Sequence, residues 1–310
     1  MLKRKALRKI FITTLSAFIL LVVYSIPNMY QDDTLKTNLE VEYITGLGTN
    51  TIYLLDKNNY LVKTKILLES TDKKEQIKLL LKNLTKSDNE KIPSGLKATI
   101  PTGTKVLDVI LDEGYVTLNF SKKIFKVDTE EEKEKIIESI VYSLMDLGDI
   151  YGVIIEVEGE VPSEYNMVLD KSFGINKKYN IKSRNDINKV VIYYLEDLNG
   201  NNYYVPVTKY LNNSNEKIKI IVDELTSSYI YESNLMSFFN SNTKLIDYKE
   251  NENVMSINFN NAIFDDKSKI LEEVSYTLAY SVFANYDDVS KIVIQVDGKD
   301  IKSIVQKDLP

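Results

Sequence analysis

The side chains best suited to chemistry in this chain are carboxylates. Asp108, Asp112 and Glu113 fall within one short stretch, and Asp247 and Glu252 lie in the second half. A pair drawn from them could supply the acid and the base of a glycan or wall hydrolase. The same residues sit beside turn-forming positions, where a carboxylate more commonly faces solvent or bonds a nearby turn. Tyr142 and Tyr276 recur at matching positions of two predicted helices and read as core or sheet-packing residues, with peptidoglycan or peptide contact as the alternative. The chain has no His, no Cys and no Trp. A Ser-His-Asp triad, a thiol nucleophile, a disulfide and the usual imidazole or thiolate zinc sites are thereby excluded. No residue is assigned a catalytic, cofactor-binding or metal-binding role, and no cofactor is expected.

Charge narrows the partners. The net charge is −6, yet Lys3, Arg4, Lys5, Arg8 and Lys9 all precede the first acidic residue. Without those five, 34 basic residues face 45 acidic ones, a balance of −11 that repels phosphate backbones and argues against nucleic acid. Hydrophobic residues at 44% and charged residues at 27% are a globular balance, so the bulk of the chain folds.

Residues 1–9 read as a cytoplasmic basic segment and 10–26 as a single transmembrane signal anchor. Ile10 to Ile26 carries no charge and, as a helix, spans about 25 Å. The basic flank holds the N-terminus in the cytoplasm and places the remainder on the extracytoplasmic side. Tyr24-Ser25-Ile26-Pro27 lacks a small-x-small cleavage site, which favours retention, and without cysteine there is no acyl anchor. Residues 27–50 read as a spacer.

The second half of the chain repeats the first. Thr104–Val109 matches Thr243–Tyr248, Tyr115–Phe120 matches Val254–Phe259, and Val153–Gly159 matches Ile292–Gly298, all at an offset of 139. Lys133–Leu144 matches Lys267–Leu278 at an offset of 134, with six identities in twelve, which places five-residue length differences in the flanking loops. Two domains follow, 51–160 and 189–310, joined by a linker at 161–188.

Each copy predicts the order β-β-α-β-β-α-β. In the first, apolar runs 51–55 and 60–67 flank a turn, and Ile77, Leu80, Leu81 and Leu84 form one stripe of a helix that Thr71 or Asp72 caps. Val116, Leu118 and Phe120 alternate with Tyr115, Thr117 and Asn119 in a half-buried strand. Thr129 to Glu132 is a capping box opening a second helix. The fold class is α+β: two tandem copies, helices on one face of a mostly antiparallel sheet, behind the N-terminal transmembrane helix.

The segment Ile100 to Phe125, with Pro101-Thr-Gly103-Thr104 entering a hairpin, a turn at Gly114 and a strand ending Asn119-Phe120-Ser121, resembles the GerM-type (GerMN) domain of bacterial sporulation and spore-germination proteins. The second copy departs from it, with Asn240-Ser-Asn-Thr243 at the hairpin entry and Asn253 in place of Gly114. The resemblance implies a non-catalytic scaffold or assembly factor for a channel or envelope complex between mother cell and forespore. Its partners would be envelope or sporulation-complex proteins, and self-association is compatible with it. The first copy, closer to the family pattern, is expected to keep the shared interaction.

Overall fold

Tight turns dictate the local strand pairing. Glu113-Gly114 and Asn199-Gly200 both adopt positive φ (45° and 83°, 58° and 82°), the left-handed geometry that closes two-residue hairpins. The computed structural model describes residues 14–15, 49–87, 92–185, 187–227 and 235–310. The expected basic segment 1–9, anchor 10–26 and spacer 27–50 lie outside them, apart from the helical Thr14 and Leu15 and the strand residues Thr49 and Asn50. Among the described residues no helix is long and apolar enough to cross a membrane.

Residues Gly48–Pro310 form one compact unit. Its first copy contains β1 (Thr49–Leu55), β2 (Leu61–Leu67), α1 (Lys73–Leu84), β3 (Val106–Asp112), β4 (Tyr115–Phe120), α2 (Glu130–Met145) and β5 (Gly152–Val157). After the short β6 (Lys178–Asn180), the second contains β7 (Ile187–Leu198), β8 (Asn201–Asn212), α3 (Lys217–Thr226), β9 (Leu245–Asn251), β10 (Val254–Phe259), α4 (Glu272–Phe283), β11 (Lys291–Val296) and β12 (Lys299–Val305). The order is β-β-α-β-β-α-β in each, with one further strand closing the second.

Local sequence explains the helices. Asp72 caps α1 by accepting from the Glu75 N–H at 2.8 Å, and Ile77, Leu80, Leu81 and Leu84 are all buried. Twelve residues are marginal as an isolated helix. Burial of that stripe, worth roughly 1.5–3 kcal/mol per large side chain, is what holds α1. Thr129 and Glu132 close the capping box of α2 with reciprocal bonds of 3.1 and 3.3 Å. From Ile136 to Leu144 every residue of α2 is buried, because it is covered on more than the one face the spacing predicted.

One mostly antiparallel sheet per copy is not what forms. The strands of each copy divide between two sheets, and the two leading hairpins merge. β1–β2 joins β7–β8 where Lys63 pairs with Tyr204, and β6 runs parallel to β8, giving one five-stranded sheet shared by both copies. The remaining strands make a sheet β3-β4-β5 in the first copy and β12-β11-β10-β9 in the second. In both, the pair joined through a helix is parallel, β4 with β5 and β10 with β11, since a helical crossover returns the chain in the same direction. One large apolar cluster runs through both copies, with a smaller one of Val191, Tyr193 and Tyr280 beside it.

The stretch 161–188, read as a linker, contributes to that core through Tyr165, Leu169 and Ile175. Asn176, buried at φ 49°, is the tie. Its side chain accepts from the Leu61 N–H (2.8 Å) and donates to the carbonyls of Leu61 (2.9 Å) and Pro206 (2.7 Å), so one amide joins β2 to β8. Its own N–H donates to Glu138 of α2 at 3.0 Å.

The helix alignment at offset 134 is wrong. The Tyr53 N–H of β1 donates to Ser143 Oγ at 3.0 Å, and the Tyr193 N–H of β7 donates to Ser281 Oγ at 2.8 Å. Beside these bonds Tyr142 packs on Tyr53 with ring centroids 5.6 Å apart, and Tyr280 on Tyr193 at 5.0 Å. Tyr142 therefore corresponds to Tyr280, not Tyr276, at an offset of 138. The identities at 134 mislead because Lys267 and Lys269 precede α4 in a turn, both donating their N–H to Asp265 (2.9 and 2.8 Å), whereas their matches lie within α2. The loop differences shrink accordingly to one residue on each side.

Candidate interaction surface

The sheet β3-β4-β5 has one face on the core and one in solvent. Val109, Val116, Leu118, Val153 and Ile155 point inward and are buried. Alternation then puts Ile110, Thr117 and Ile154 side by side on the outer face, as the pairings Ile110 with Thr117 and Thr117 with Ile154 require. Tyr115 lies beside them, opposite Gly152. Gly152 has no Cβ, and one added there would meet Val168 Cγ1 at 2.3 Å, so Val168 lies directly over this glycine. The Tyr151 ring crosses Tyr115 edge-on at 6.5 Å. The result is an exposed apolar face: Ile110 is 50% exposed, Tyr115 46%, Tyr151 63%, Met167 60% and Val168 46%.

The second copy keeps the frame of this sheet with a more polar outer face. Positions 110, 115, 117, 152 and 154 become Lys249, Val254, Ser256, Lys291 and Val293 at offset 139. It also gains an outer strand, since β12 pairs along β11, whereas among the described residues the edge of β5 away from β4 carries isolated bridges at Val153 and Val157. The frame itself is duplicated bond for bond. Asn119 Oδ1 accepts from the Gly159 N–H at 3.0 Å, and Asn258 Oδ1 accepts from the Gly298 N–H at 3.0 Å. The aligned Asn and Gly pairs are thus partners of each other, and their repetition is structural. The Gly114 to Asn253 difference is compensated: a Cβ on Gly114 would meet the Tyr151 ring at 2.5 Å, while the equivalent Asn253 donates to Ser290 Oγ at 2.9 Å.

Asp108 and Asp112 are not brought together. Asp108 and Asp112 flank Ile110 on the outer face, four residues apart along β3 and so roughly 13 Å from each other. That exceeds the separation either hydrolytic geometry uses. Asp108 accepts from the Val109 N–H at 2.8 Å and Asp247 from Asn258 Nδ2 at 3.1 Å, while Glu113 and Glu252 occupy turn positions at φ 45° and 54°. Asp108 and Asp247 stand on different sheets. Among the described residues no cluster of three His, Cys, Asp or Glu is placed to hold a metal ion. Asp108, Asp112 and Glu113 instead rim the apolar face with negative charge. Tyr142 is a core residue whose hydroxyl donates to the Lys171 carbonyl at 3.0 Å, and Tyr276 is half-buried under Lys302. Met167 and Val168 come from the connecting stretch, and no pattern in the sequence pointed to them.

Comparison with known proteins gives the family. The Germane model, described as sporulation and spore germination, matches this chain twice, over residues 51–162 and 191–302. The chain belongs to the Germane family. It is 27% identical over 263 residues to the spore germination protein GerM of Bacillus subtilis (strain 168), covering 80% of this chain and 71% of that protein. The solved tandem GerMN domains of the Bacillus subtilis sporulation protein GerM superpose with a TM-score of 0.73 at 26% identity, over 81% of this chain and 92% of that one. The two copies are tandem GerMN domains, and membership in the Germane family supports a sporulation-related role.

Proposed function

We propose that this chain is a membrane-anchored, extracytoplasmic assembly component of a sporulation envelope or channel complex, and that its first copy holds the partner through the outer face of β3-β4-β5. The observation that carries this reading is the asymmetry between copies: the same sheet frame bears exposed Ile110, Tyr115 and Tyr151 in the first and Lys249, Val254 and Ser290 in the second. A contiguous exposed apolar face on an otherwise acidic chain marks a protein contact. The rim of Asp108, Asp112 and Glu113 calls for a partner with an apolar centre and basic surroundings. Anchoring through residues 10–26, with the GerMN copies outside the cytoplasmic membrane, rests on the charge-free run and its basic flank.

A photocrosslinker at Tyr151 of the full chain, in sporulating cells of the native host, tests it. The expected product is an envelope protein whose capture is lost on Ile110→Lys while thermal unfolding is unchanged. No envelope protein recovered, together with normal spore yield after deletion, would overturn the proposal.

A further inference from the structure

The strand β3 ends its sheet. It pairs with β4 on one side, and among the described residues no backbone hydrogen bond reaches its other side. The two-residue turn at Glu113-Gly114 makes Asp112 and Tyr115 a hydrogen-bonded pair, so by alternation Ile110 bonds toward β4 while Val109 and Leu111 turn their backbone groups outward. The Val109 N–H agrees with that direction, since it donates to the Asp108 carboxylate at 2.8 Å and not to β4. The Val109 carbonyl and both backbone groups of Leu111 face outward from the sheet.

An edge of this kind is a template for another strand unless charge or cover blunts it. Its side chains leave it open, with Leu107 48% and Leu111 37% exposed and Ile110 exposed on the opposite face from Leu111. The second copy treats the equivalent edge differently. There β9 also ends its sheet, but Lys249 and Glu250 stand in place of Ile110 and Leu111, which puts a charge on each face of the edge. The first copy lacks that protection.

Charge selects the kind of strand that fits. Asp108 and Asp112 flank Ile110 along the edge, both exposed, and among the described residues neither makes an ion pair; Lys78 of α1 pairs with Glu75. Two β3 edges laid together would set two aspartates from each chain on one face, which like-charge repulsion opposes. A strand with a cation, an apolar residue and a cation at alternate positions answers Asp108, Ile110 and Asp112 in turn, and the apolar residues between them meet Leu111 on the inner face. We propose that β3 takes up an extended segment of a basic partner protein by strand addition, with backbone bonds to Val109 and Leu111 and cations against Asp108 and Asp112. This rests on the outer-face contact and names how the partner of that face is held.

Fluorescence anisotropy on the full chain in detergent tests it, with a labelled heptapeptide carrying lysine at its second and sixth positions and valine or isoleucine at those between. Two N-methylated forms are compared, each blocking the amide N–H groups along one edge of the peptide. The expected result is that blocking one edge weakens binding about tenfold, as the loss of two backbone hydrogen bonds implies, and that blocking the other leaves it unchanged. Leu111→Glu installs the charge of the second copy without touching the outer face, and should weaken binding as much at unchanged thermal unfolding. Should that variant fold poorly, Asp112→Lys should lose the lysine peptide and gain its glutamate counterpart. No binding, or binding indifferent to both N-methylated edges or to Leu111→Glu, overturns strand addition. Equal binding of the glutamate peptide to the wild type overturns the basic partner, and so does a wild-type chain that dimerises in ultracentrifugation and dissociates on Leu111→Glu. A Tyr151 crosslink that survives Leu111→Glu but is lost on Ile110→Lys would leave the outer-face contact standing without the added strand.

Discussion

Two carboxyls, Asp56 and Glu196, are buried where the copies meet. Asp56 Oδ1 accepts from the N–H groups of Asn58 and Tyr60 at 2.8 and 2.7 Å, and Glu196 Oε1 accepts from Asn58 Nδ2 at 2.8 Å. Asp56 Oδ2 and Glu196 Oε2 have no hydrogen-bond partner, an arrangement that favours a protonated Glu196. Burial, then the contact with Asp56, pushes Glu196 up to about 8 from 4.5. The folded state therefore holds a proton that the unfolded chain has released across that window. Its stabilising effect is complete below pH 4.5 and lost as pH rises toward about 8. Urea unfolding should show stability falling between those limits. Glu196→Gln should flatten the slope and be the more stable form at alkaline pH. An unchanged slope in the variant would refute the protonated Glu196.

At the scale of elements, the duplicated turn between the two strands of each hairpin is solved in two ways. The first copy places Gly114 under the Tyr151 ring, and the second bonds Asn253 to Ser290. Gly114→Asn alone should cost about 1–3 kcal/mol, because the new side chain enters the space of the ring. Adding Tyr151→Ser should recover most of it by importing the partner the second copy uses. The double-mutant cycle, read by thermal unfolding, should give a coupling of roughly 1 kcal/mol. Additive single effects would mean that the two sites are independent.

For the whole molecule, a sheet built from both leading hairpins and a core running through both copies predict one cooperative unit. Tyrosine fluorescence and amide circular dichroism should report a single coincident transition in denaturant. Asn176→Ala should lower its midpoint by the equivalent of about 3 kcal/mol, since buried backbone groups of both β2 and β8 lose their partner. Two resolved transitions, or loss confined to one copy, would count against the shared sheet.

The sequence by itself determined the duplication, the order of elements, the Asp72 cap, the Thr129 capping box and the inward faces of α1 and β4. These are local quantities: period, spacing and turn chemistry act within a few residues and read the same whatever lies beyond them. Only the tertiary structure decided that the leading hairpins merge, that Tyr142 answers to Tyr280, and that Asn176 ties the copies together. Which element covers an apolar face, and which buried polar group finds which partner, depends on residues far apart in the chain. A one-turn slip in a helix match leaves its apolar pattern almost intact, and the hydrogen bonds from Ser143 and Ser281 are what correct it. The outer face shows both contributions: alternation exposed Tyr115 and Thr117 from the sequence alone, and only the folded chain laid Val168 over Gly152 beside them.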